Sequence, residues 1–296
     1  MNFGRVITAM VTPYDQNGQV DYQKAETLIN YLIANGTEGI VVAGTTGESP
    51  TLSTEEKIAL IKFVVKTVNK RIPVIAGTGS NNTQASIELT IQAELIGVDG
   101  VMLVTPYYNK PSQQGMYEHF KAIASATTLP VMLYNIPGRT GVNLLPETII
   151  DLAQIDNIVA VKEASGNLDA MTTIIHHTPA HFSLYSGDDS LTLPILAIGG
   201  KGVVSVSSHI IGNEMNEMIS AFQQGRIADA AILHQDLLPV MQAMFSAPSP
   251  SPVKAALNML GIEVGSVRLP LVPLNTEELQ LLKQQLPFLK NNYHAG

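Results

Sequence analysis

Lys162 ends the apolar run Ile158-Val159-Ala160-Val161. Desolvation disfavours the charged form of an amine held at the end of such a run, and the neutral amine attacks carbonyl carbon. A lysine paired with the adjacent Glu163, or reaching solvent with its tip, fits the same position. Tyr134 ends a second apolar run, Val131-Met132-Leu133. One phenol oxygen both donates and accepts a proton, which imine chemistry requires at successive steps. A core aromatic with a solvated tip is the competing reading. A third group, Gly44-Thr45-Thr46-Gly47-Glu48, offers two hydroxyls and closely approaching backbone amides. It suits a small carboxylate or phosphate, but lacks the lysine of a phosphate-binding P-loop.

Other groups carry less. Gly77-Thr78-Gly79-Ser80-Asn81-Asn82 and Gly199-Gly200-Lys201-Gly202 read as tight turns. His176, His177 and His181 lie close in sequence, but Pro179 breaks the helix that would align them and no carboxylate joins at ligand spacing. No metal and no cofactor are expected.

These groups need a scaffold that gathers strand ends. Short apolar or β-branched runs at 6–12, 40–45, 74–78, 101–105, 131–135, 158–162, 182–186 and 203–206 alternate with stretches of helical period. Ser53-Thr54-Glu55-Glu56 reads as a capping box ahead of Ile58, Leu60, Ile61 and Val64. Further helices are expected at 22–34, 83–96, 115–126, 146–153, 168–176, 191–198 and 214–224. Eight βα units close a (β/α)8 TIM barrel, in which all strand C-terminal ends share one face; a doubly wound open sheet is the alternative. That face would gather 45–48, 107–110, Tyr134 with Arg139, Lys162, and Gly187-Asp188-Asp189. The barrel is expected over 1–226. A C-terminal helical appendage over 227–296 follows, with helices at 227–245, 253–260 and 275–289 around the break Pro248-Ser249-Pro250-Ser251-Pro252.

Composition narrows the function. The 296 residues include no cysteine, which excludes disulfides, iron-sulfur clusters and thiolate zinc sites. Seventeen Lys and Arg against 25 Asp and Glu leave a net charge of -8, which repels a nucleic-acid backbone. Charged residues make up only 14% of the chain, pointing to extensive burial that includes subunit interfaces. Mean hydropathy is +0.17, without an apolar run long enough to cross a bilayer. The start Met1-Asn2-Phe3-Gly4-Arg5 has no basic region or long apolar stretch of a signal peptide, so a cytoplasmic protein with no membrane partner is expected.

Taken together, Gly44-Thr45-Thr46-Gly47-Glu48, Tyr134-Asn135-Ile136-Pro137-Gly138-Arg139-Thr140 and Val161-Lys162 resemble the dihydrodipicolinate synthase family. The likeness spans nearly the whole chain, through Thr105-Pro106-Tyr107-Tyr108-Asn109-Lys110-Pro111, Tyr185-Ser186-Gly187-Asp188-Asp189 and Arg268-Leu269-Pro270-Leu271. The resemblance implies a (β/α)8 barrel that condenses pyruvate with L-aspartate 4-semialdehyde in the diaminopimelate route to lysine. It gives Lys162 as the Schiff-base nucleophile and Tyr134, Thr45 and Tyr108 as a proton relay. Thr46 would hold the pyruvate carboxylate, and Gly187 and Val204 would line the pyruvate end. Arg139 fits the carboxylate of the second substrate, since a guanidinium holds it bidentately. Tyr108 is implied to reach a neighbouring subunit's site in a homotetramer built as a dimer of tight dimers.

One departure stands out. Lysine-sensitive members of the family carry histidines at the positions of Thr54 and Lys57 and a glutamate at the position of Ala85. An added cation and a missing carboxylate disfavour a cationic amino acid, so feedback inhibition by lysine is expected to be weak or absent.

Other readings fit the same residues. N-acetylneuraminate lyase and 2-keto-3-deoxy sugar acid aldolases share the lysine, the tyrosine and the glycine-rich turn, and Arg139 is the discriminating residue. A non-catalytic keto-acid-binding barrel would carry no covalent adduct. A phosphate-binding barrel isomerase would need a glycine-rich nest after the last strands, where only Ser207-Ser208 stand.

Overall fold

The computed structural model describes residues 3–286. Eight parallel strands close on themselves in sequence order, β1 pairing with both β2 and β8. They are β1 (Val6–Ala9), β2 (Gly39–Val42), β3 (Val74–Gly77), β4 (Gly100–Val104), β5 (Val131–Asn135), β6 (Ile158–Glu163), β7 (Ser183–Ser186) and β8 (Gly202–Ser205). The open-sheet alternative is thereby set aside. Each expected strand forms, shortened or shifted by a few residues at its ends.

The outer helices are α1 (Tyr22–Ala34), α2 (Thr54–Val68), α3 (Thr83–Ile96), α4 (Gln113–Ala124), α5 (Pro137–Thr140) and α6 (Pro146–Leu152). They continue as α7 (Leu168–His177), α8 (Thr192–Ala197) and α9 (Ser208–Gln223). The Ser53 hydroxyl caps α2 and Glu56 reaches back to the Ser53 amide, completing the capping box read from sequence. Two departures have local causes. Helix α5 is a single turn with Pro137 at its start and Gly141 at φ 74 after its end, too short to show a period. Helix α9 begins at Ser208, ahead of the expected 214, because a first turn precedes a kink at Ile211 (φ -126, ψ 38).

Helices α10 (Ile227–Ala243), α11 (Ser251–Met259) and α12 (Thr276–Gln285) follow, α10 packing along α9 and α11 lying against both α9 and α12. Asn275 and Glu278 form the expected cap of α12. The expected extension of that helix to Leu289 lies outside the described residues. No helix among the described residues is long and apolar enough to cross a membrane.

Strand parity decides what faces the barrel axis. Ile7, Val41, Ile75, Met102, Met132, Tyr134, Ala160, Tyr185 and Val204 form one buried cluster inside the barrel. The intervening residues, such as Val42, Leu103, Leu133, Val161 and Val203, pack outward against the helices. The strands are apolar on both faces, which is why their sequences read as continuous runs rather than alternating ones. Buried His209 ties the ends of two adjacent strands. Its Nε2 accepts from the Val11 amide at 3.1 Å while Nδ1 lies 2.8 Å from the Val206 carbonyl, to which it donates. Burial pulls its pKa down to about 4, the neutral form being the one both contacts require.

Candidate active site

Parity places Lys162 inside the barrel two residues beyond Ala160, and turns Glu163 outward. The sequence-level possibility that these neighbours pair is excluded by that alternation. Glu163 instead accepts from Asn135 Nδ2 at 3.0 Å and from the Ser165 amide at 2.7 Å. Burial raises its pKa, with those hydrogen bonds acting against the rise. Asn135 in turn bonds the Leu144 amide and the Asn143 side chain, anchoring the segment that carries Arg139.

Lys162 and Tyr134 are register partners on adjacent strands. The Lys162 Nζ lies 4.1 Å from the centroid of the Tyr134 ring. Lys162 is 5% exposed, and no ion pair involving it occurs among the described residues. Gly187 makes room for it. A Cβ at Gly187 would stand 2.7 Å from Ala164 Cβ and 3.2 Å from Lys162 Cε, so a side chain there would push on the amine's stem. Val204 is buried in the same interior cluster as Tyr134, opposite Ile7 in the register.

The loop after β2 turns tightly: the Glu48 amide donates to Thr45 O, and the Ser49 amide to Gly44 O. Ala43 and Glu48 both adopt left-handed backbone, with φ of 55 and 57. Thr12 holds the turn from β1's side, its hydroxyl donating to Gly47 O at 2.6 Å. Thr46 is buried, and Thr45 stands in the wall of a cavity of about 270 Å³. Tyr134, Arg139, Tyr107, Lys57 and Ser80 share that wall. Arg139 is exposed there and forms no ion pair with any described carboxylate.

Tyr108 does not join them. It is 89% exposed at φ 73, and its neighbour Tyr107 lines the cavity instead. Cavity size alone would not find the site, since spaces of about 500 Å³ beside Thr54, Lys57 and Ala85 and about 420 Å³ beside Lys254 are larger. The smaller cavity is distinguished by hydroxyls, tyrosines and a guanidinium in one wall; Lys162 is not itself in that wall but lies against the ring of Tyr134, which is.

Residues 2–288 match the model of the dihydrodipicolinate synthetase family. The chain belongs to that family. The 4-hydroxy-tetrahydrodipicolinate synthases of Bacillus velezensis and Bacillus subtilis are each 66% identical to it, over 278 and 279 residues. Each alignment covers 94% of this chain and 96% of the relative. Among solved structures, dihydrodipicolinate synthase DapA-2 from Bacillus anthracis superposes with a TM-score of 0.95 at 60% identity, covering 97% of this chain and 98% of that one.

In this dihydrodipicolinate synthetase family member, some buried groups around the site are not legible as functional from spacing. Lys254, in α11, forms a 2.7 Å ion pair with Glu48, both side chains almost wholly buried. Burial pulls the Lys254 ammonium down to about 8 against the Glu48 carboxylate, which holds it up. The available signal was a lone lysine between Val253 and Ala255-Ala256, an apolar setting much like that of Lys162.

Proposed function

We infer that Lys162 carries the chemistry by which this chain condenses pyruvate with L-aspartate 4-semialdehyde to 4-hydroxy-tetrahydrodipicolinate, a step of diaminopimelate and lysine biosynthesis. The observation behind this assignment is a buried amine with no counter-carboxylate among the described residues, in contact with a tyrosine ring beside the cavity. Lys162 Nζ attacks the pyruvate carbonyl carbon, and the carbinolamine loses water to give a protonated imine. The iminium draws electrons from the adjacent methyl carbon, which loses a proton and becomes an enamine. That carbon attacks the aldehyde, forming the new C–C bond, and the alkoxide takes up a proton. The substrate's amine then displaces Lys162 from the imine carbon, closing the ring and freeing the enzyme.

Each transfer needs a group that both gives and accepts a proton, the part assigned to the Tyr134 phenol with the Thr45 hydroxyl. Thr46, with the amides of its turn, is assigned to the pyruvate carboxylate. Gly187 and Val204 bound the pyruvate end without introducing charge. Arg139, at the exposed wall, takes the carboxylate of the semialdehyde; a polyol aldehyde offers it no such anion.

Tyr108 points into solvent in a single chain, so its assigned part in the relay requires a neighbouring subunit. A homotetramer, built as a dimer of dimers, supplies one. No nucleic-acid or membrane partner enters this reading. Turnover with aspartate semialdehyde should exceed that with N-acetylmannosamine or glyceraldehyde, each with pyruvate, by at least a hundredfold in kcat/KM. Preference for a sugar aldehyde would overturn the assignment.

A further inference from the structure

The loop assigned to the pyruvate carboxylate is strapped from a distant part of the chain. Glu48 closes that loop in left-handed backbone and sends its side chain away from the cavity into the protein. One carboxylate oxygen meets Lys254 Nζ at 2.7 Å, and the other accepts from the Arg268 amide at 2.9 Å. Lys254 Nζ also donates to Ser266 O at 2.7 Å and stands 4.1 Å from the Tyr14 ring centroid. Arg268 covers the same ring at 4.5 Å, donates to Thr51 O at 2.7 Å and bonds Glu56 at the start of α2. Helix α11 and the segment after it therefore hold the second half of the 44–51 loop, at Glu48 through a buried ion pair and at Thr51 through Arg268.

We propose that Glu48 and Lys254 are positioning residues for pyruvate, their ion pair fixing the placement of Thr45 and Thr46 although neither touches substrate. A surface pair contributes little order, but a buried one has no water to replace a lost partner, so its geometry is stringent. The displacement allowed at a binding turn is small, since an error of about 1 Å is enough to cost much of a positioning effect. The second substrate is assigned to Arg139, on a different loop next to Asn135, which bonds the Leu144 amide, so the proposal leaves that contact unchanged. The proposal rests on Lys162 forming an adduct with pyruvate.

The test uses the full-length enzyme with Lys254→Met and the double variant Glu48→Gln/Lys254→Met. The double variant leaves no unpaired charge buried and keeps the fold accessible if the single variant unfolds. Pyruvate KM, semialdehyde KM and the pyruvate concentration for half-maximal borohydride trapping are measured beside the thermal midpoint. In the double variant, pyruvate KM and the trapping midpoint should rise at least tenfold, with semialdehyde KM within threefold of wild type and the thermal midpoint within a few degrees. A folded double variant with pyruvate KM within twofold of wild type would overturn the proposal, as would equal rises in both KM values. Absence of any adduct in the wild-type protein would instead sink the Lys162 assignment, which keeps the two failures distinct.

Discussion

Lys162 and Tyr134 face each other across β5 and β6, the amine 4.1 Å from the ring centroid. Lys254 stands at the same 4.1 Å from the Tyr14 ring, but it is paired with Glu48. These two buried lysines thus share one kind of aromatic contact, and among the described residues only Lys254 of the two has a partner carboxylate, which separates it from the lysine assigned to chemistry.

The Tyr134 phenol is assigned to proton transfer, whereas its ring packs in the barrel interior. Tyr134→Phe keeps the ring and removes the oxygen. Steady-state kinetics should show kcat lower by about 10²–10⁴-fold, the usual scale of general acid-base catalysis, with the thermal midpoint unchanged. A loss below threefold would remove Tyr134 from the relay.

Arg139 is exposed on the cavity wall, and no described carboxylate pairs with it. Arg139→Ala should raise semialdehyde KM by about 10- to 100-fold, as expected for lost hydrogen bonds to a charged group. Trapping of pyruvate alone should remain at the wild-type level. Equal impairment of trapping would mean that Arg139 serves the first substrate.

Thr54, Lys57 and Ala85 share one cavity of about 500 Å³. Lys57 is partly buried there, and desolvation lowers its pKa, but in its protonated form it repels a cationic amino acid. Half-maximal inhibition by lysine should lie above about 1 mM, the affinity equivalent to roughly −4 kcal/mol. Inhibition curves with midpoints below that concentration would contradict this.

His209 makes stability depend on pH. Its folded pKa is about 4 against an ordinary 6.5, so between those values the unfolded chain binds a proton that the folded chain refuses. Its contribution is complete above pH 6.5 and is lost as the pH falls toward 4, by about 3 kcal/mol at 1.36 kcal/mol per unit. His119, also pulled down to about 4 by burial, acts in the same direction. Denaturant unfolding of His209→Gln across this window should show a shallower pH slope than wild type; parallel slopes would assign the acid sensitivity elsewhere.

Much of the barrel was legible because parallel strands covered on both faces leave continuous apolar runs, and capping residues such as Ser53 and Asn275 mark helix starts. Lys162 and Tyr134 were legible for the same reason: each puts a polar group at the end of an apolar run. Helix α5 was not, since one turn has no period, and neither was the first turn of α9 ahead of its kink. The Glu48–Lys254 pair joins residues more than two hundred positions apart, which no local pattern encodes. Tyr107 and Tyr108 are adjacent in sequence, but Tyr107 lines the cavity while Tyr108, in left-handed backbone, faces solvent, a turn of the chain that no local pattern marks.

The most direct measurement of the central claim is mass spectrometry of the protein after incubation with pyruvate and borohydride, with peptide mapping and Lys162→Ala as control. One reduced pyruvyl group should appear per chain, on the peptide containing Lys162, and none on the variant. An unmodified wild-type protein, or an adduct that persists in Lys162→Ala, would contradict the account.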